Sequence, residues 1–592
     1  MQGIGRILAG AALLAGAIVA PSNRDRAWAQ STQSPADDTA FAVPRITPPF
    51  GGNVPLPTPL APSEAAQVRR VYDLQKAGAY TLAARESALL GNNLLLGHLR
   101  ADRLLRQGRR APVGDLKAWL AAYADHPEAP AVYALLLRAA PKGQSIPAAP
   151  QVPMLAPELP GSATPEELDQ LSSGITRSPA LEAELLTYVR RGNPHAAEAL
   201  LRRSGWISSG YATMLRADIA RALFTQNQDE EAIEVATSAW DQDRRFGLPA
   251  YLAGLASWRM GELASSRRWF EAAADAPSNT ASLQAGAAFW AARAAQKLRD
   301  HAAAQVWLGR AAAEPRTFYG LLANRLLGRP AGLDWGNEVL GEADVEAIDA
   351  TPQGARAFAL LQVGQDAEAE AEFRALWPTL QGSPTMQRAL LRVCDQARLS
   401  GLTAQLAALL QTPDGGANDL ARFPVPTLRP TGGFTVDRPL VYALARVESN
   451  FQSDLVSPAG ALGLLQMTPV AASYVTGRQG TYPMALLDPA LNLDIGQRYL
   501  IYLSNTGAVN EDLVRLLAAY NAGVGAVSHW DIEDHGDPLL YIEAIPTGQT
   551  REFVPRALAY SWIYAARFHQ SSDSLDTLAA GAWPQFPVRT LH

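Results

Sequence analysis

The residues best placed for chemistry lie near the C-terminus, in the stretch YALARVESNFQSDLVSPAGALGLLQMTP at positions 442–469. A helical face is predicted there, because apolar residues recur at the spacing of one stripe: Leu440, Ala443, Leu444 and Val447. Glu448 follows at the edge of this stripe, just before residues that end a helix. A carboxyl at such an edge is partly desolvated, which raises its pKa towards the value that a general acid needs near neutral pH.

A loop rich in helix breakers follows this acid. Ser457 begins it and Gly463 comes near its end, so backbone and hydroxyl groups can approach closely before Gln466. Further on, a second amphipathic pattern ends at Tyr520 and Asn521, where the chain turns out of a helix. The loop from Ser457 to Gln466 predicts a polar pocket that faces a single acid.

Four motifs occur in one order along this part of the chain. They read ESNF at 448–451, SPAGALGLLQ at 457–466, DPALNLDIGQRYL at 488–500 and AYNAGVGAV at 519–527. In these motifs the chain resembles soluble lytic murein transglycosylases, closely in its C-terminal part and loosely in the helical remainder. The resemblance implies a lysozyme-like catalytic domain that cleaves peptidoglycan between N-acetylmuramic acid and N-acetylglucosamine.

The resemblance also implies roles for single residues. Glu448 becomes the one catalytic acid and base. The substrate-binding positions implied are Ser457, Gln466, Thr468, Tyr520, Asn521 and Glu543. On physical grounds alone, Glu543 could equally be a surface carboxylate.

Three positions depart from the motifs of these enzymes. Where they commonly read GLMQ-x-MP, this chain has Thr468 in place of a methionine that borders the saccharide site. Where they read IPF-x-ETR, this chain has Thr547 and Gln549, which removes an aromatic ring and a carboxylate. Because threonine offers less apolar surface than methionine, Thr468→Met is expected to change substrate affinity more than fold stability.

Composition excludes several classes of protein. With 592 residues, a net charge of −6 and a pI near 5.9, the chain is long enough for several domains and too acidic for a phosphate-backbone partner. The eight histidines are dispersed, and no metal-ligand spacing, G-x-S-x-G motif or phosphate-binding loop occurs. We therefore expect no cofactor and no metal. The single cysteine, Cys394, is interpreted as a core residue in a helix.

Helical patterning dominates the remaining chain, and proline-rich stretches divide it. The N-terminus has the three parts of a secretory signal, without a cysteine for a lipid anchor at the cleavage point, which predicts a periplasmic protein. We expect a monomer that binds peptidoglycan strands and possible partners in the cell-wall machinery. The predicted mainly α organisation is a signal peptide at 1–29, a Pro-rich leader at 30–62, an α-superhelix of helical hairpins at 63–328, a short helical linker region at 329–418 and a lysozyme-like domain at 419–592.

Two local predictions concern helix boundaries and packing. The T-x-x-E spacing of Thr164 and Glu167 predicts a capping box, and an aromatic-rich helix is predicted to run from position 555 to 569. In the superhelix, aromatic residues at helical spacing are interpreted as packing residues rather than sugar platforms: Trp240, Trp258, Trp269, Trp290 and Trp307.

Three functions are compatible with these patterns. A lytic transglycosylase would use Glu448 first as acid and then as base, and would form 1,6-anhydro ends. A muramidase would hydrolyse the same bond with help from a second carboxylate, for which the candidates are Asp454, Asp488, Asp494 and Glu543. A non-catalytic helical scaffold would bind wall strands without turnover.

Overall fold

The computed structural model describes residues 54–168, 174–205, 207–336, 339–410, 416, 418–477 and 483–586. The predicted signal peptide and most of the Pro-rich leader lie outside these residues. Within the described ranges the backbone is helical, and strand-like pairing is confined to three isolated bridges. The predicted mainly α class is therefore confirmed. None of the described helices combines the length and apolar character needed to cross a membrane.

The helices form four groups along the chain. The first group is α1 (Pro62–Lys76), α2 (Tyr80–Ser87), α3 (Leu96–Gln107), α4 (Val113–Ala122) and α5 (Ala129–Ala139). The second is α6 (Pro179–Arg190), α7 (Pro194–Arg203), α8 (Ser209–Thr225), α9 (Asp229–Gln242), α10 (Leu248–Arg259), α11 (Leu263–Ala274), α12 (Ala281–Lys297), α13 (His301–Ala312) and α14 (Phe318–Leu326). The third is α15 (Glu342–Asp349), α16 (Pro352–Gln362), α17 (Asp366–Leu376), α18 (Pro384–Gln396), α19 (Ser400–Leu409) and α20 (Asp419–Arg422). The fourth is α21 (Arg438–Ser449), α22 (Pro469–Thr476), α23 (Pro489–Ser504), α24 (Leu513–Ala522), α25 (Val524–Val527), α26 (Pro538–Ala544), α27 (Gly548–Arg567) and α28 (Asp573–Ala579).

From α8 to α14 each helix packs against the next, which is the arrangement of stacked hairpins. Small residues let the helices approach: a Cβ at Gly254 would meet the ring of Phe270 at 2.6 Å. The aromatic side chains fill the remaining space. Trp240 and Trp290 are buried, and Trp258, Trp269 and Trp307 pack against the same core, so their interpretation as packing residues is confirmed.

The third group of helices packs against the first group. Residues of α1 and α3 share one apolar core with α16 to α19. The two parts are also joined by hydrogen bonds, since Gln362 accepts from the Leu60 amide at 2.9 Å and donates to its carbonyl at 2.8 Å. Cys394 is fully buried in this core, as predicted.

The second and fourth groups share a different apolar core. It includes Leu215 and Trp290 from the hairpin stack as well as Leu444 and Leu517 from the fourth group. Within this shared core α21, the helix that carries Glu448, packs against α27.

Two predicted boundaries differ from the structure. Thr164 and Glu167 do form a capping box, but it opens a single 3-10 turn, Pro165–Glu167. The predicted helix at 555–569 begins earlier, at Gly548, and continues through Pro555. A proline costs a helix one backbone donor, and packing of α27 against α21 and α24 offsets that cost here.

Candidate active site

Glu448 lies in the last turn of α21, a helix with the predicted apolar stripe. Its side chain is half-buried, and among the described residues no hydrogen bond or ion pair reaches its carboxyl group. Burial raises the pKa of Glu448 to about 8. The acid is therefore protonated at neutral pH, as a general acid must be.

The helix ends sharply behind this acid. Asn450 adopts a left-handed conformation with φ of 49°, and its backbone N–H caps the end of α21. Arg446, one turn back, donates to the Asn450 side chain and to Glu158 Oε2, the latter at 2.9 Å. Glu158 belongs to an extended segment 288 residues away in sequence. This contact could not be predicted from the sequence, because nothing local to Glu158 points to α21.

The breaker-rich loop folds back beside Glu448. Gly463 has φ of 73°, and a Cβ there would meet the Leu486 carbonyl at 2.5 Å, so only glycine fits. Asn492, which the sequence did not single out, fastens this loop: its amide group donates to Leu462 O and accepts from Leu465 N. The close approach predicted for the loop is thus present.

Gln466 and Ser457 hold the shape of the loop. The Gln466 side chain donates to Gly463 O at 2.9 Å and to Leu455 O at 3.3 Å, and its backbone has φ of 46°. The Ser457 hydroxyl accepts from the Ala461 amide at 2.9 Å. Both residues are partly exposed. Their implied substrate contacts remain predictions.

Tyr520 and Asn521 lie at the end of α24, as predicted. The Tyr520 hydroxyl donates to Leu465 O at 2.6 Å, which ties α24 to the loop. Burial and the nearby charge of Glu448 raise the pKa of Tyr520 well above its usual value. Asn521 Oδ1 accepts from the Thr550 hydroxyl at 2.7 Å. Tyr520 is thereby placed next to the loop that adjoins the acid, and Asn521 lies beside the start of α27.

Thr468 has a structural role that the sequence reasoning did not foresee. It is the N-cap of α22, and its hydroxyl accepts from the Ala471 amide at 3.1 Å. Threonine at this position therefore stabilises a helix start, which a methionine could not do.

Glu543 lies on α26 and faces the hairpin stack instead of an exposed surface. Its carboxylate accepts from the hydroxyls of Tyr251 at 2.6 Å and Tyr319 at 2.7 Å, and Arg221 lies 3.5 Å away. The structure shows no contact between Glu543 and Glu448. The interpretation of Glu543 as a possible surface carboxylate is wrong, because Glu543 is buried and its carboxylate faces Tyr251, Tyr319 and Arg221.

The other carboxylates proposed as a second catalytic group have separate environments. Asp488 caps α23 by accepting from Leu491 N at 2.8 Å, and Asp494 pairs with Arg498 at 2.9 Å. Asp454 is exposed. Among the described residues, none of these acids contacts the Glu448 carboxyl.

A second cluster of titratable groups lies far from Glu448 in sequence. His98, His126 and Glu372 bring ligand atoms within 4.8 Å of one another. Both His98 nitrogens face carboxylates, however, and Arg356 bonds both oxygens of Glu372 at 2.7 and 2.9 Å. The adjacent guanidinium makes this cluster a poor cation site, and its charged groups are better described as a network of buried ion pairs.

Comparison with known proteins shows what this part of the chain is similar to. Residues 429–537, which hold Glu448, the loop and the end of α24, match the family model for the Transglycosylase SLT domain. The chain is 35% identical over 142 residues to the soluble lytic murein transglycosylase of Escherichia coli, an alignment that covers 23% of this chain and 22% of that protein. It is also 33% identical over 159 residues to the membrane-bound lytic murein transglycosylase C of Actinobacillus succinogenes, covering 25% of this chain and 44% of that protein.

The likeness in fold extends much further than the likeness in sequence. The 70 kDa soluble lytic transglycosylase from Escherichia coli superposes with a TM-score of 0.53 at 18% identity, covering 89% of this chain and 99% of that chain. An inactive mutant of the lytic transglycosylase Slt from Pseudomonas aeruginosa gives a TM-score of 0.54 at 18% identity, covering 89% and 90%. The sequence alignment spans only about a fifth of the soluble relative, so the similarity in sequence is confined to the part of the chain around the site. The similarity in fold covers most of the chain.

Proposed function

We propose that this protein is a lytic transglycosylase that cleaves the β-1,4 bond between N-acetylmuramic acid and N-acetylglucosamine in peptidoglycan. One observation carries the proposal: a half-buried Glu448 without a hydrogen-bond partner among the described residues, whose pKa burial raises to about 8. The transglycosylase family match at residues 429–537 supports the choice of substrate.

In the first step, Glu448 gives its proton to the glycosidic oxygen, and the bond from that oxygen to C1 of N-acetylmuramic acid breaks. The departing sugar leaves with a new hydroxyl group. The positive charge at C1 is stabilised by the ring oxygen and by the 2-acetamido group. The acid is then a carboxylate.

In the second step, the C6 hydroxyl of the same sugar attacks C1, and Glu448 takes its proton. This closes a 1,6-anhydro ring, restores the acid and consumes no water. A single acid and base group is sufficient for both steps. The use of one acid is consistent with the contacts of Asp488 and Asp494, which are engaged in a helix cap and an ion pair, respectively.

The binding residues and the cellular setting belong to the same proposal. Ser457 and Gln466 lie in the loop beside the acid, and Tyr520 bonds that loop. Together with Asn521, the next residue of α24, they would line the sugar subsites. Thr468 and Glu543 would act further from the bond that breaks. A secretory signal at 1–29 would deliver a monomeric enzyme to the periplasm, where glycan strands are found. The domain boundaries at 62, 328 and 418 are part of this proposal.

The test is Glu448→Gln, which keeps the size of the side chain but cannot give or take the proton. Turnover of purified peptidoglycan should fall by about 10² to 10⁴ or more, because general acid-base catalysis is lost. Glu533→Gln, at an exposed glutamate of the same region, is the matched control and should keep full activity. Equal activity of Glu448→Gln and wild type would remove Glu448 from the mechanism.

The products then distinguish the remaining functions. Mass spectrometry of the wild-type digest should show anhydro ends, which are lighter than reducing ends by one water. Reducing ends throughout would identify a muramidase. Binding of glycan strands without any released fragment would identify a scaffold.

A further inference from the structure

A segment rich in proline lies between α5 and α6, and we call residues 151–167 the strap. All of these residues are described, and they have neither helix nor strand before the single 3-10 turn Pro165–Glu167. The prolines of the strap are Pro153, Pro157, Pro160 and Pro165. A proline restricts its own φ and the conformation of the residue before it. The strap therefore loses less chain entropy when it is held in place than a flexible linker would.

Both ends of the strap are bonded to other helices. Near its start, the Leu155 amide donates to a backbone carbonyl of α17 at 2.9 Å, and the Ala156 carbonyl accepts from Gln405 on α19 at 2.9 Å. Near its end, the Ser162 carbonyl accepts from Arg556 on α27 at 3.1 Å. The strap thus runs from the third helical group to the fourth.

The middle of the strap contacts the end of α21 through one residue, Glu158. Its carboxylate pairs with Arg446 at 2.9 Å, and its backbone carbonyl accepts from the Gln452 side chain at 3.3 Å. Arg446 is buried, so Glu158 supplies the charge that balances a desolvated guanidinium. Glu448 lies between these two contacts in the sequence. One residue of the strap therefore holds the chain on both sides of the candidate acid.

The last turn of a helix needs such contacts more than its interior does. Its carbonyl groups have no partner within the helix, and helix ends open with little cost in free energy. Among the described residues no hydrogen bond or ion pair reaches the Glu448 carboxyl, so nothing fixes this group directly. Its position depends on how the last turn of α21 is held. A general acid must come within about 3 Å of the oxygen that it protonates.

A second ion pair of the strap offers an internal comparison. Glu166 pairs with Arg422 at 2.8 Å, and Arg422 is as buried as Arg446. Arg422 lies on α20, which carries no candidate site residue. The two pairs are therefore similar in chemistry and burial, but only the pair of Glu158 reaches the helix of the acid.

We propose that Glu158 is a positioning residue for the catalytic acid: it holds the last turn of α21 so that the Glu448 carboxyl points to the glycosidic oxygen. The proposal rests on the proposed function, because it takes Glu448 as the acid. It gives the strap a role beyond connecting two helices. The pair of Glu166 fastens the strap without a part in the reaction.

The first experiment measures the last turn of α21 without any substrate. Hydrogen exchange of backbone amides at 446–452 is followed by mass spectrometry in full-length wild type, Glu158→Ala and Glu166→Ala. Exchange there should be faster in Glu158→Ala by about tenfold to a hundredfold, the effect expected when a hydrogen bond between charged groups is lost. Glu166→Ala should exchange like wild type in this segment. Thermal melts verify that each variant is folded, and Glu158→Gln replaces Glu158→Ala if the latter does not fold.

The second experiment measures turnover of solubilised glycan strands at a temperature where every variant is folded. In Glu158→Ala kcat should fall by about tenfold to a hundredfold, because a small displacement of a reacting group is enough for such a loss. KM should stay close to that of wild type, since the residues proposed to bind sugars are unchanged. Glu158→Gln keeps an acceptor for Arg446 and should recover part of the lost kcat. Glu166→Ala should keep the wild-type kcat.

The outcomes separate this proposal from the proposed function. If wild type does not cleave the strands, the proposed function fails, and hydrogen exchange alone decides whether the strap holds the end of α21. If exchange at 446–452 is the same in Glu158→Ala and Glu166→Ala, or if both variants lose kcat equally, Glu158 stabilises the fold without positioning the acid and the proposal is overturned.

Discussion

Glu448 and Glu543 are two glutamates of the same helical module in opposite environments. Glu543 accepts from two tyrosine hydroxyls and lies beside Arg221, whereas no described residue donates to Glu448. Burial together with the Glu543 charge raises the pKa of Tyr251 and Tyr319 well above the usual value. Burial of a carboxyl group therefore does not by itself indicate catalysis. An acid without partners can exchange its proton with a substrate, and an acid with several donors fixes structure.

The largest effect on stability should follow Glu543→Leu. The change leaves two buried hydroxyls and Arg221 without their acceptor, so the free energy of unfolding should fall by about 2 to 4 kcal/mol. Urea unfolding of the full chain measures this, with Glu533→Leu at an exposed position as the control. A loss below about 0.5 kcal/mol, the size of an ordinary surface change, would contradict the structural role of Glu543.

Whereas the Glu543 carboxylate stabilises the fold, the Glu448 carboxyl group should destabilise it as the pH rises. Its pKa is about 8 in the folded protein and near 4.5 when unfolded, so the folded state binds more protons between these values. The free energy of unfolding therefore falls as pH rises through that window. Glutamine does not titrate, so Glu448→Gln should be more stable than wild type at pH 8 by about 1 to 3 kcal/mol, after allowing for solvent screening.

This prediction is checked by melting both proteins between pH 5 and pH 9. The two curves should lie close together at the acid end and separate towards the alkaline end. Parallel curves over the whole range would show that the Glu448 carboxyl is not desolvated in the folded protein.

The sequence predicted the local features of the site well. The apolar stripe before Glu448, the turn at Asn450 and the position of Tyr520 at a helix end depend on residues within two helical turns, and the structure has all three. The same local rules failed at Pro555, where packing of α27 keeps a helix intact through a proline. Local propensity decides helix boundaries only when tertiary packing does not override it.

Contacts between distant parts of the chain could not be predicted. Tyr251 and Tyr319 reach Glu543 across 292 and 224 residues, and Glu158 reaches Arg446 across 288. No periodicity or spacing encodes these pairs, because they depend on how the hairpin stack and the extended segment that contains Glu158 are placed against the fourth helical group. The environment of Glu543 therefore became clear only from the structure.

A smaller effect should follow Glu158→Gln. Arg446 would keep a neutral acceptor but lose the charge that balances its buried guanidinium, so stability should fall by about 1 to 2 kcal/mol. Because Arg446 also bonds Asn450 at the end of α21, turnover should fall together with stability, without a change in the pH at which activity is half-maximal. The control is Glu184→Gln, an exposed glutamate on α6, which should change neither. A shift in the pH profile would show that Glu158 acts on Glu448 electrostatically.

The smallest effect concerns Thr468, and here the structure revises an expectation from the sequence. Thr468→Met was expected to leave stability almost unchanged, but the N-cap hydrogen bond to Ala471 should be lost, at a cost of about 1 kcal/mol. Thr468→Ser keeps the cap and should melt like wild type, so the pair separates capping from apolar contact. KM for glycan strands should change in Thr468→Met, if the side chain also borders the saccharide, and should stay the same in Thr468→Ser. Equal melting of both variants would show that the cap contributes nothing, and equal KM in both would leave Thr468 a capping residue outside the substrate site.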